Sequence, residues 1–353
     1  MVFFIGPKLK PITGQAFAFD MAFTHYSGSK RVFYYQGNNV GLFTVIYKNI
    51  FLFCSFLYCL LVNSREVSCV YLTTSRSVVG FIRDGLFILT CWLFKVRIVN
   101  HLHGADFISF RDSLSCPFKK VVDFVYSKID TSIVLMPEMK EQYQMYEGMK
   151  VVSISNCAPP TSNLLKKHSN VFKILYLSNI MYSKGILFLI EAVDNLIKEG
   201  ADVQLTIAGT PMGDEHMTSE KIQLFFEEKI KGKDYIEYIG TVSGIAKEQL
   251  LADSDVFVLP SFYRTEAQPI SILEAMQSGS AIITTNHNYL SDLINSNNGF
   301  AIEPRSVKGI ESSILELIND KNRLEKISAY NKNYAKKYYS LETYVNELSK
   351  VLS

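Results

Sequence analysis

Residues Asp255–Thr284, DVFVLPSFYRTEAQPISILEAMQSGSAIIT, decide the fold of this 353-residue chain. The apolar run Val256–Leu259 predicts a buried strand, and the loop after it contains Glu266. Pro269 suits the first turn of a helix, where its missing N–H costs nothing. A second apolar run, Ala281–Thr284, predicts the next strand. Strand, helix and strand in this order predict a parallel α/β unit.

The same alternation extends over the whole chain and predicts two doubly wound α/β domains in series. In the first half, strands are predicted near Val2–Ile5, Val32–Tyr35, Val67–Leu72, Val96–Asn100, Ile133–Leu135 and Val151–Ile154, with helices near 14–26, 42–62, 76–94, 116–129 and 138–146. In the second half, strands are predicted near Phe172–Leu177, Val203–Ala208, Ile236–Ile239, Val256–Leu259, Ala281–Thr284 and Phe300–Ile302, with helices near 184–199, 216–231, 246–252, 269–278, 289–295 and 306–319.

The predicted domains are residues 1–155 and 171–338. The Pro-, Ser- and Asn-rich stretch 156–170 is the expected linker between them. From Asp320 the pattern predicts helix to the end, with a break near Tyr339–Leu341, so that 339–353 form a separate final helix.

Composition indicates a folded globular protein, because 48% of the residues are hydrophobic and 20% are charged. The six cysteines are scattered without a C-x-x-C pair, which is typical of small buried apolar side chains in a reducing compartment. The apolar start, Met1–Gly6, is short and lacks a basic segment, so no secretory signal is predicted and we expect a cytoplasmic location.

Charge is unevenly distributed. Residues 1–150 carry sixteen Lys and Arg against ten Asp and Glu, and the remainder carries twenty against twenty-four. A basic first half favours an anionic ligand or membrane surface. Nucleic acid is a less favoured partner, because no Lys/Arg stripe with interleaved aromatic residues is present. The apolar stretch Ile50–Val62 is shorter than the roughly 20 residues that cross a bilayer, so we favour packing on a sheet over insertion.

Two glutamates in the opening stretch are candidate ligand contacts. A helix that starts beside a strand end presents free N–H groups and a positive dipole end, which suits a phosphate. Near such a site, Glu266 and Glu274 can accept hydrogen bonds from vicinal sugar hydroxyls. The residues alone leave another interpretation open, in which one glutamate stabilises the helix dipole and the other is solvated.

The run Glu266–Thr285, EAQPISILEAMQSGSAIITT, resembles the signature of the retaining family-4 glycosyltransferases, here of the bacterial surface-polysaccharide type. Further matches follow in order along the chain: Gly6–Pro7, Thr13–Gln15, His103–Asp106, Ser155–Asn156, Leu177–Ile186, Ile207–Gly209 and Tyr238–Gly240. The resemblance implies the GT-B fold, in which two Rossmann-like domains face each other across a central cleft and the final helix returns to the first domain.

By this resemblance, Glu274 holds the ribose hydroxyls of a nucleotide-sugar, and Glu266 faces the donor sugar. Lys184 neutralises the departing diphosphate, although a solvated lysine before a glycine turn is the alternative. The backbone that approaches the sugar and phosphate oxygens belongs to Ala267, Gln268, Pro269 and Ile270.

The remaining site residues implied by the resemblance lie elsewhere in the chain. His103 contacts the donor sugar, and Gly209 belongs to the donor-binding set. Gly14 lets backbone approach the donor phosphates, or else makes an ordinary turn. Many family members carry arginine where this chain has Asn179, so one cation is missing from its usual place, and Arg264 is the candidate substitute.

No metal ion or other cofactor is expected. Asp253 and Asp255 form a D-x-D sequence, but one ends a predicted helix and the other opens a buried strand, so capping and turn roles account for both. No other His/Asp/Glu cluster indicates a required ion.

The resulting prediction is a hexosyltransferase that retains the anomeric configuration. It takes a UDP- or GDP-sugar as donor and a polyprenyl-diphosphate-linked or other glycan as acceptor, in O-antigen, capsule or exopolysaccharide synthesis. The basic first domain receives the acceptor, on the inner face of the cell membrane. Two alternatives stay open: a GT-B nucleotide-sugar epimerase, and a non-catalytic nucleotide-sugar-binding subunit.

Overall fold

The computed structural model describes residues 1–9, 13–35, 42–162, 164 and 169–353. The chain groups into two compact units. The first comprises Met1–Asn156 with Glu342–Ser353, and the second comprises Cys157–Leu341. Of the expected linker 156–170, residues 163 and 165–168 lie outside the described residues.

The first unit is built on a six-stranded sheet in the order β2-β1-β3-β4-β5-β6, with every described pair parallel. Its strands are β1 Val2–Pro7, β2 Lys30–Tyr35, β3 Cys69–Leu72, β4 Arg97–His101, β5 Thr131–Val134 and β6 Lys150–Ser153. Its helices are α1 Gly14–His25, α2 Leu42–Val62, α3 Val78–Leu93, α4 Phe107–Asp112 and α5 Cys116–Tyr126, with a 3₁₀ helix at Glu138–Tyr143.

The second unit repeats this architecture with the strand order β12-β11-β10-β7-β8-β9, again parallel. Its strands are β7 Phe172–Leu177, β8 Val203–Ala208, β9 Ile236–Tyr238, β10 Val256–Leu259, β11 Ala281–Thr285 and β12 Gly299–Ile302. Its helices are α6 Ile186–Lys198, α7 Ser219–Ile230, α8 Gly244–Asp253, α9 Ile270–Ser278, α10 Val307–Asn319 and α11 Lys321–Tyr338, with 3₁₀ helices at Tyr182–Lys184 and Ser291–Leu293.

A last helix, α12 Leu341–Leu352, follows α11 after a short break, as the sequence predicts. All but its first residue group with the first unit. Within that unit the Tyr344 hydroxyl donates to the Ala18 carbonyl of α1 at 3.5 Å, and the Arg97 guanidinium donates to the Val351 carbonyl.

The predicted α/β fold class is confirmed, because both strand orders are those of doubly wound sheets. In such sheets the order reverses at one point, and ligands bind beyond the carboxyl ends of the strands there. The reversal lies between β1 and β3 in the first unit and between β7 and β10 in the second. These two edges are therefore the places to look for a site.

Aromatic packing fixes α2 against the first sheet. Rings of Phe3 in β1 and Phe33 in β2 lie 5.2 Å apart, and the Phe56 ring of α2 lies 6.1 and 5.4 Å from them. Packing of Ile50–Val62 on a sheet was the favoured interpretation, and one side of the helix does so. The opposite side is exposed, at Phe51 and Tyr58 for example. Among the described residues, no helix is long and apolar enough to cross a membrane.

One local prediction needs correction. Pro269 does not lie in the first turn of α9 but at the N-cap, with φ −63° and ψ 123°, so its backbone is extended and the helix begins at Ile270. The reason is that the loop before α9 runs close to the sheet edge and turns into the helix one residue later than the Pro rule suggests.

Candidate functional site

The second unit brings most of the predicted site residues to its strand-order reversal. Asn179 and Lys184 follow β7, and Glu266 follows β10. Because these two strands are neighbours and parallel, their carboxyl ends meet at one edge of the sheet. Gly209 follows β8, the strand on the other side of β7.

Lys184 and Glu266 form a direct ion pair at this edge, between Nζ and Oε2. The Ser261 hydroxyl donates to the same carboxylate oxygen at 2.7 Å. Glu266 is only 8% exposed. Both of these bonds are made at Oε2, so the carboxylate is held at one oxygen while Oε1 keeps its capacity to accept a bond.

The glycine after Lys184 explains how the lysine reaches this position. Gly185 has φ 78°, a left-handed conformation, and a Cβ placed there would lie 2.2 Å from the Pro260 carbonyl oxygen. Only glycine allows the turn Tyr182–Lys184 to approach the end of β10 this closely. The predicted alternative, a solvated lysine, is wrong, since the Lys184 side chain is 13% exposed and ion-paired.

The loop from Ser261 to Gln268 is held in place by the residues that follow β11. The Thr285 hydroxyl donates to the Ser261 carbonyl. The Asn288 side-chain amide donates to the carbonyls of Arg264 and Glu266, at 3.0 and 3.1 Å. Asn288 itself has φ 48°, a conformation that asparagine tolerates better than most residues. Sequence reasoning missed these residues, because nothing in their local pattern identifies their partners.

Glu274 lies on the inner side of α9, and the alternative of a solvated glutamate is wrong. Its side chain is 6% exposed, and its Oε1 accepts a bond from Lys247 Nζ at 2.5 Å. Burial raises the pKa of Glu274, while the adjacent Lys247 ammonium opposes that rise. A buried carboxylate with one cation partner beside a strand-order reversal is typical of a ligand-binding site.

Lys247 in α8 is a site residue that the sequence did not indicate. It is 27 positions from Glu274, and α8 carries no motif that singles it out. The only signal is its type, a basic residue on a helix that precedes the deciding strand β10.

The remaining donor-site candidates are placed as follows. Ala267 and Gln268 are buried in the loop, and Ile270 opens α9, where first-turn N–H groups have no partner within the helix. Pro269 contributes no N–H to this set. Arg264 is exposed, with its carbonyl bonded to Asn288.

Asn179 and Gly209 end neighbouring strands. The Asn179 amide contacts the Met212 sulfur at 3.8 Å. Gly209 has φ 148°, and a Cβ there would lie 1.9 Å from the Ser178 carbonyl oxygen, so close contact between the two strand ends requires glycine.

In the first unit, His103 follows β4 and stands beside His101, with ring centroids 4.1 Å apart. His101 is fully buried and bonds Tyr71 through Nδ1 at 2.7 Å. Within the described part of the chain, both ring nitrogens of His103 are buried without a hydrogen-bond partner. Burial, and secondarily the Arg76 charge, lower the pKa of His103 to about 3. The ring is therefore neutral at physiological pH and has one donor and one acceptor nitrogen to offer a ligand.

Gly14 is the first residue of α1 and follows the N-cap Thr13, whose hydroxyl accepts from the Ala16 N–H at 3.1 Å. A Cβ on Gly14 would have no described protein atom within 4 Å. Contacts inside the protein therefore do not account for glycine here, which leaves open the predicted approach of a ligand.

The D-x-D sequence has structural contacts. The Asp255 carboxylate accepts from the Lys173 N–H at 2.8 Å and fixes β10 beside β7, while Asp253 accepts from the Gln249 side chain. The described residues contain no group of three or more His, Cys, Asp or Glu side chains that could hold a metal ion.

Residues 162–334 match the family model described as "Glycosyl transferases group 1". A curated relative is a phosphatidylinositol N-acetylglucosaminyltransferase protein of Arabidopsis thaliana, 26% identical over 67% of this chain and 54% of that protein. Glycogen synthase of Mycobacterium tuberculosis is 26% identical over 42% of this chain and 34% of its own length. The chain thus spans about half the length of the first of these relatives, or less.

Among solved structures, HepE of Anabaena in complex with UDP is similar over 99% of both chains, with a TM-score of 0.77 and 15% identity. A glycosyltransferase from Rickettsia africae is similar over 99% of this chain and 97% of its own, with a TM-score of 0.74 and 17% identity. At these identities the likeness establishes the fold.

Proposed function

For a chain whose residues 162–334 match the glycosyl transferases group 1 model, and whose fold is GT-B, we propose a glycosyltransferase that uses a nucleotide-sugar. The donor is a UDP- or GDP-sugar, and the transferred group is a hexose whose anomeric configuration is retained. The complex of the similar HepE with UDP supports a uridine nucleotide for a protein of this fold.

One observation carries the proposal: the Lys184–Glu266 ion pair at the strand-order reversal, with Glu274 buried on the helix that follows. The pair places a cation where a diphosphate needs charge compensation and a carboxylate where a sugar needs hydrogen-bond acceptors. Glu274 supplies the acceptor for vicinal ribose hydroxyls. The start of α9 adds N–H groups that suit phosphate oxygens.

The proposed reaction breaks the bond between the anomeric carbon and the diphosphate oxygen. The acceptor hydroxyl forms its new bond on the face that the diphosphate leaves, and its proton passes to the departing phosphate. Lys184 and the N-terminus of α9 stabilise the charge that develops on the diphosphate. His103, which is neutral, has a hydrogen bond to offer a sugar hydroxyl but no proton to donate as an acid. No side chain is assigned as a nucleophile.

The proposed acceptor is a polyprenyl-diphosphate-linked glycan of surface-polysaccharide synthesis, received by the first unit. Support comes from the excess of Lys and Arg over Asp and Glu in residues 1–150, sixteen against ten, since such an acceptor is anionic. The proposed location is the inner face of the cell membrane, where lipid-linked intermediates present their head groups.

The test is to incubate the purified protein with labelled UDP- and GDP-sugars, with and without polyprenyl-linked acceptors. Transfer of label to the acceptor, with release of nucleoside diphosphate, is the expected result. Conversion of the donor to another nucleotide-sugar without acceptor would identify an epimerase instead. Donor binding without turnover under any condition would indicate a non-catalytic subunit.

A further inference from the structure

The first unit has one helix layer made of α2, α3 and α5. The strand order β2-β1-β3-β4-β5 with right-handed crossovers puts all three on the same face of the sheet. They pack side by side: the rings of Phe53 in α2 and Phe87 in α3 lie 5.6 Å apart, and those of Phe81 in α3 and Phe118 in α5 lie 5.5 Å apart.

The outer face of this layer, on the side away from the sheet, is apolar. The exposed large apolar side chains are Ile46, Tyr47, Ile50, Phe51, Tyr58, Leu61 and Val62 on α2, Val78, Val79, Ile82, Leu86, Trp92 and Leu93 on α3, and Val121 and Phe124 on α5. Most recur at spacings of three or four, so each helix presents a second apolar stripe opposite the one that packs on the sheet. Single exposed apolar residues are ordinary, but three adjacent stripes mark an interaction surface.

The charges on this outer layer face are of one sign. The three helices contain two acidic residues, Asp84 and Asp123. Asp84 is buried against Arg83, and Asp123 accepts two bonds from Arg111, at 2.6 and 2.7 Å. The exposed charges on α2 and α5 include Lys48 and Lys120, so the apolar surface is accompanied by cations without exposed, unpaired carboxylates.

A further lysine lies on the apolar surface itself. The Lys128 ammonium is 4.9 Å from the Trp92 ring centroid and 4.5 Å from that of Phe124, and the two rings meet edge to face. An aromatic pair with a cation at its edge suits the interface of a bilayer, where rings enter the headgroup region and ammonium groups meet lipid phosphates.

We propose that the outer layer face of α2, α3 and α5 docks the first unit on an anionic lipid bilayer. The apolar stripes enter the headgroup boundary, and Lys48, Lys120 and Lys128 attract the anionic lipids. This deepens the proposed function and rests on it for the location of the acceptor, while the surface itself is a property of the first unit. A protein surface as the occupant is the competing outcome of the test.

The experiment is co-sedimentation of the full chain with vesicles of phosphatidylglycerol and phosphatidylcholine, and with vesicles of phosphatidylcholine alone. Binding to the anionic vesicles should be stronger and should fall as salt rises, because the attraction is screened within a Debye length. The triple variant F51S/I82S/L93S should bind about a hundredfold less, since it removes apolar area. Lys128→Gln should bind about fivefold less and show weaker salt dependence.

The matched control is L224S/F225S/I245S, which removes three exposed apolar side chains from the second unit. It should bind vesicles like the unaltered protein. UDP affinity, measured on every variant, should not change and reports that the fold is intact. Vesicle binding without any sugar transfer would refute the proposed function and leave docking standing.

The docking proposal is overturned if the unaltered protein does not bind phosphatidylglycerol vesicles at low salt, or if F51S/I82S/L93S binds them equally well. A dimer in sedimentation velocity that F51S/I82S/L93S dissolves, without vesicle binding, would assign the surface to a second copy instead.

Discussion

The Glu274–Lys247 pair shows how one buried charge is maintained. A carboxylate loses hydration when it is buried, and removal of its cation leaves an uncompensated charge at high cost. Glu274 is 6% exposed and its partner Lys247 is 28% exposed, so the pair opens to solvent on the lysine side. A ligand hydroxyl approaching from that side finds a carboxylate already ionised and oriented by Lys247.

Glu274→Ala should weaken binding of UDP or GDP by about 1–3 kcal/mol, because charge-assisted hydrogen bonds to the ribose are lost. Lys247→Met should weaken binding in the same direction, with a larger loss as pH falls, because the raised pKa of Glu274 then rises further. Isothermal titration calorimetry measures both, with Glu191→Ala on the exposed side of α6 as the control. Unchanged nucleotide affinity in Glu274→Ala would remove this residue from the nucleotide site.

His103 makes stability depend on pH in a predictable direction. Its pKa is about 3 in the folded protein and 6.5 in an unfolded chain, so the unfolded chain takes up the proton first. The free energy of unfolding should therefore fall as pH drops from 6.5 towards 3. At about pH 5, His103→Gln should abolish roughly 2 kcal/mol of this loss. Urea unfolding at about pH 7 and 5 measures it, and an equal pH dependence in both proteins would contradict the assignment.

At the scale of elements, the donor-site loop after β10 is positioned by the segment after β11. The two strands are parallel neighbours, so the segments that leave them run side by side, and Asn288 can reach two carbonyls of the loop. This arrangement fixes the backbone on both sides of Glu266 without using its carboxylate. The loop is thereby preorganised, which lowers the ordering cost of binding.

Asn288→Gly tests this support, since glycine keeps the left-handed backbone conformation and removes only the side-chain amide. Loss of two hydrogen bonds should raise the amide exchange rates of residues 261–268 and weaken UDP binding by about 1–2 kcal/mol. Asn286→Gly, an exposed asparagine in the same segment, is the matched control and should change neither quantity. Equal exchange in both variants would show that the loop is held by other contacts.

At the scale of the whole molecule, the two units share one sheet design and differ in charge and surface. The second unit holds the cation and helix terminus that a diphosphate needs. The first unit holds the excess of basic residues and the apolar outer layer face. A division of labour between a donor-binding unit and a membrane- and acceptor-facing unit follows from this difference.

Transfer by the whole enzyme should survive excess EDTA. The reason is that Lys184 and the start of α9 already provide positive charge at the strand-order reversal, while Asp253 and Asp255 accept hydrogen bonds within the fold. The assay compares initial transfer rates with EDTA alone and with added manganese or magnesium. Abolition by EDTA with rescue by either ion would require a metal site that the present assignment does not contain.

The sequence by itself determined the strands, the two doubly wound sheets and the placement of Lys184 and Glu266 after neighbouring strands, because apolar runs and turn residues act locally and chain order fixes the sheet edges. It did not predict Lys247 beside Glu274 or Asn288 beneath the loop, since such contacts depend on where distant segments meet. It also did not say which side of α2 faces water. A helix that is apolar all round fits a core or an exposed contact surface equally well, and only the packing of α2 and α3 on the sheet decided that one apolar side remains exposed.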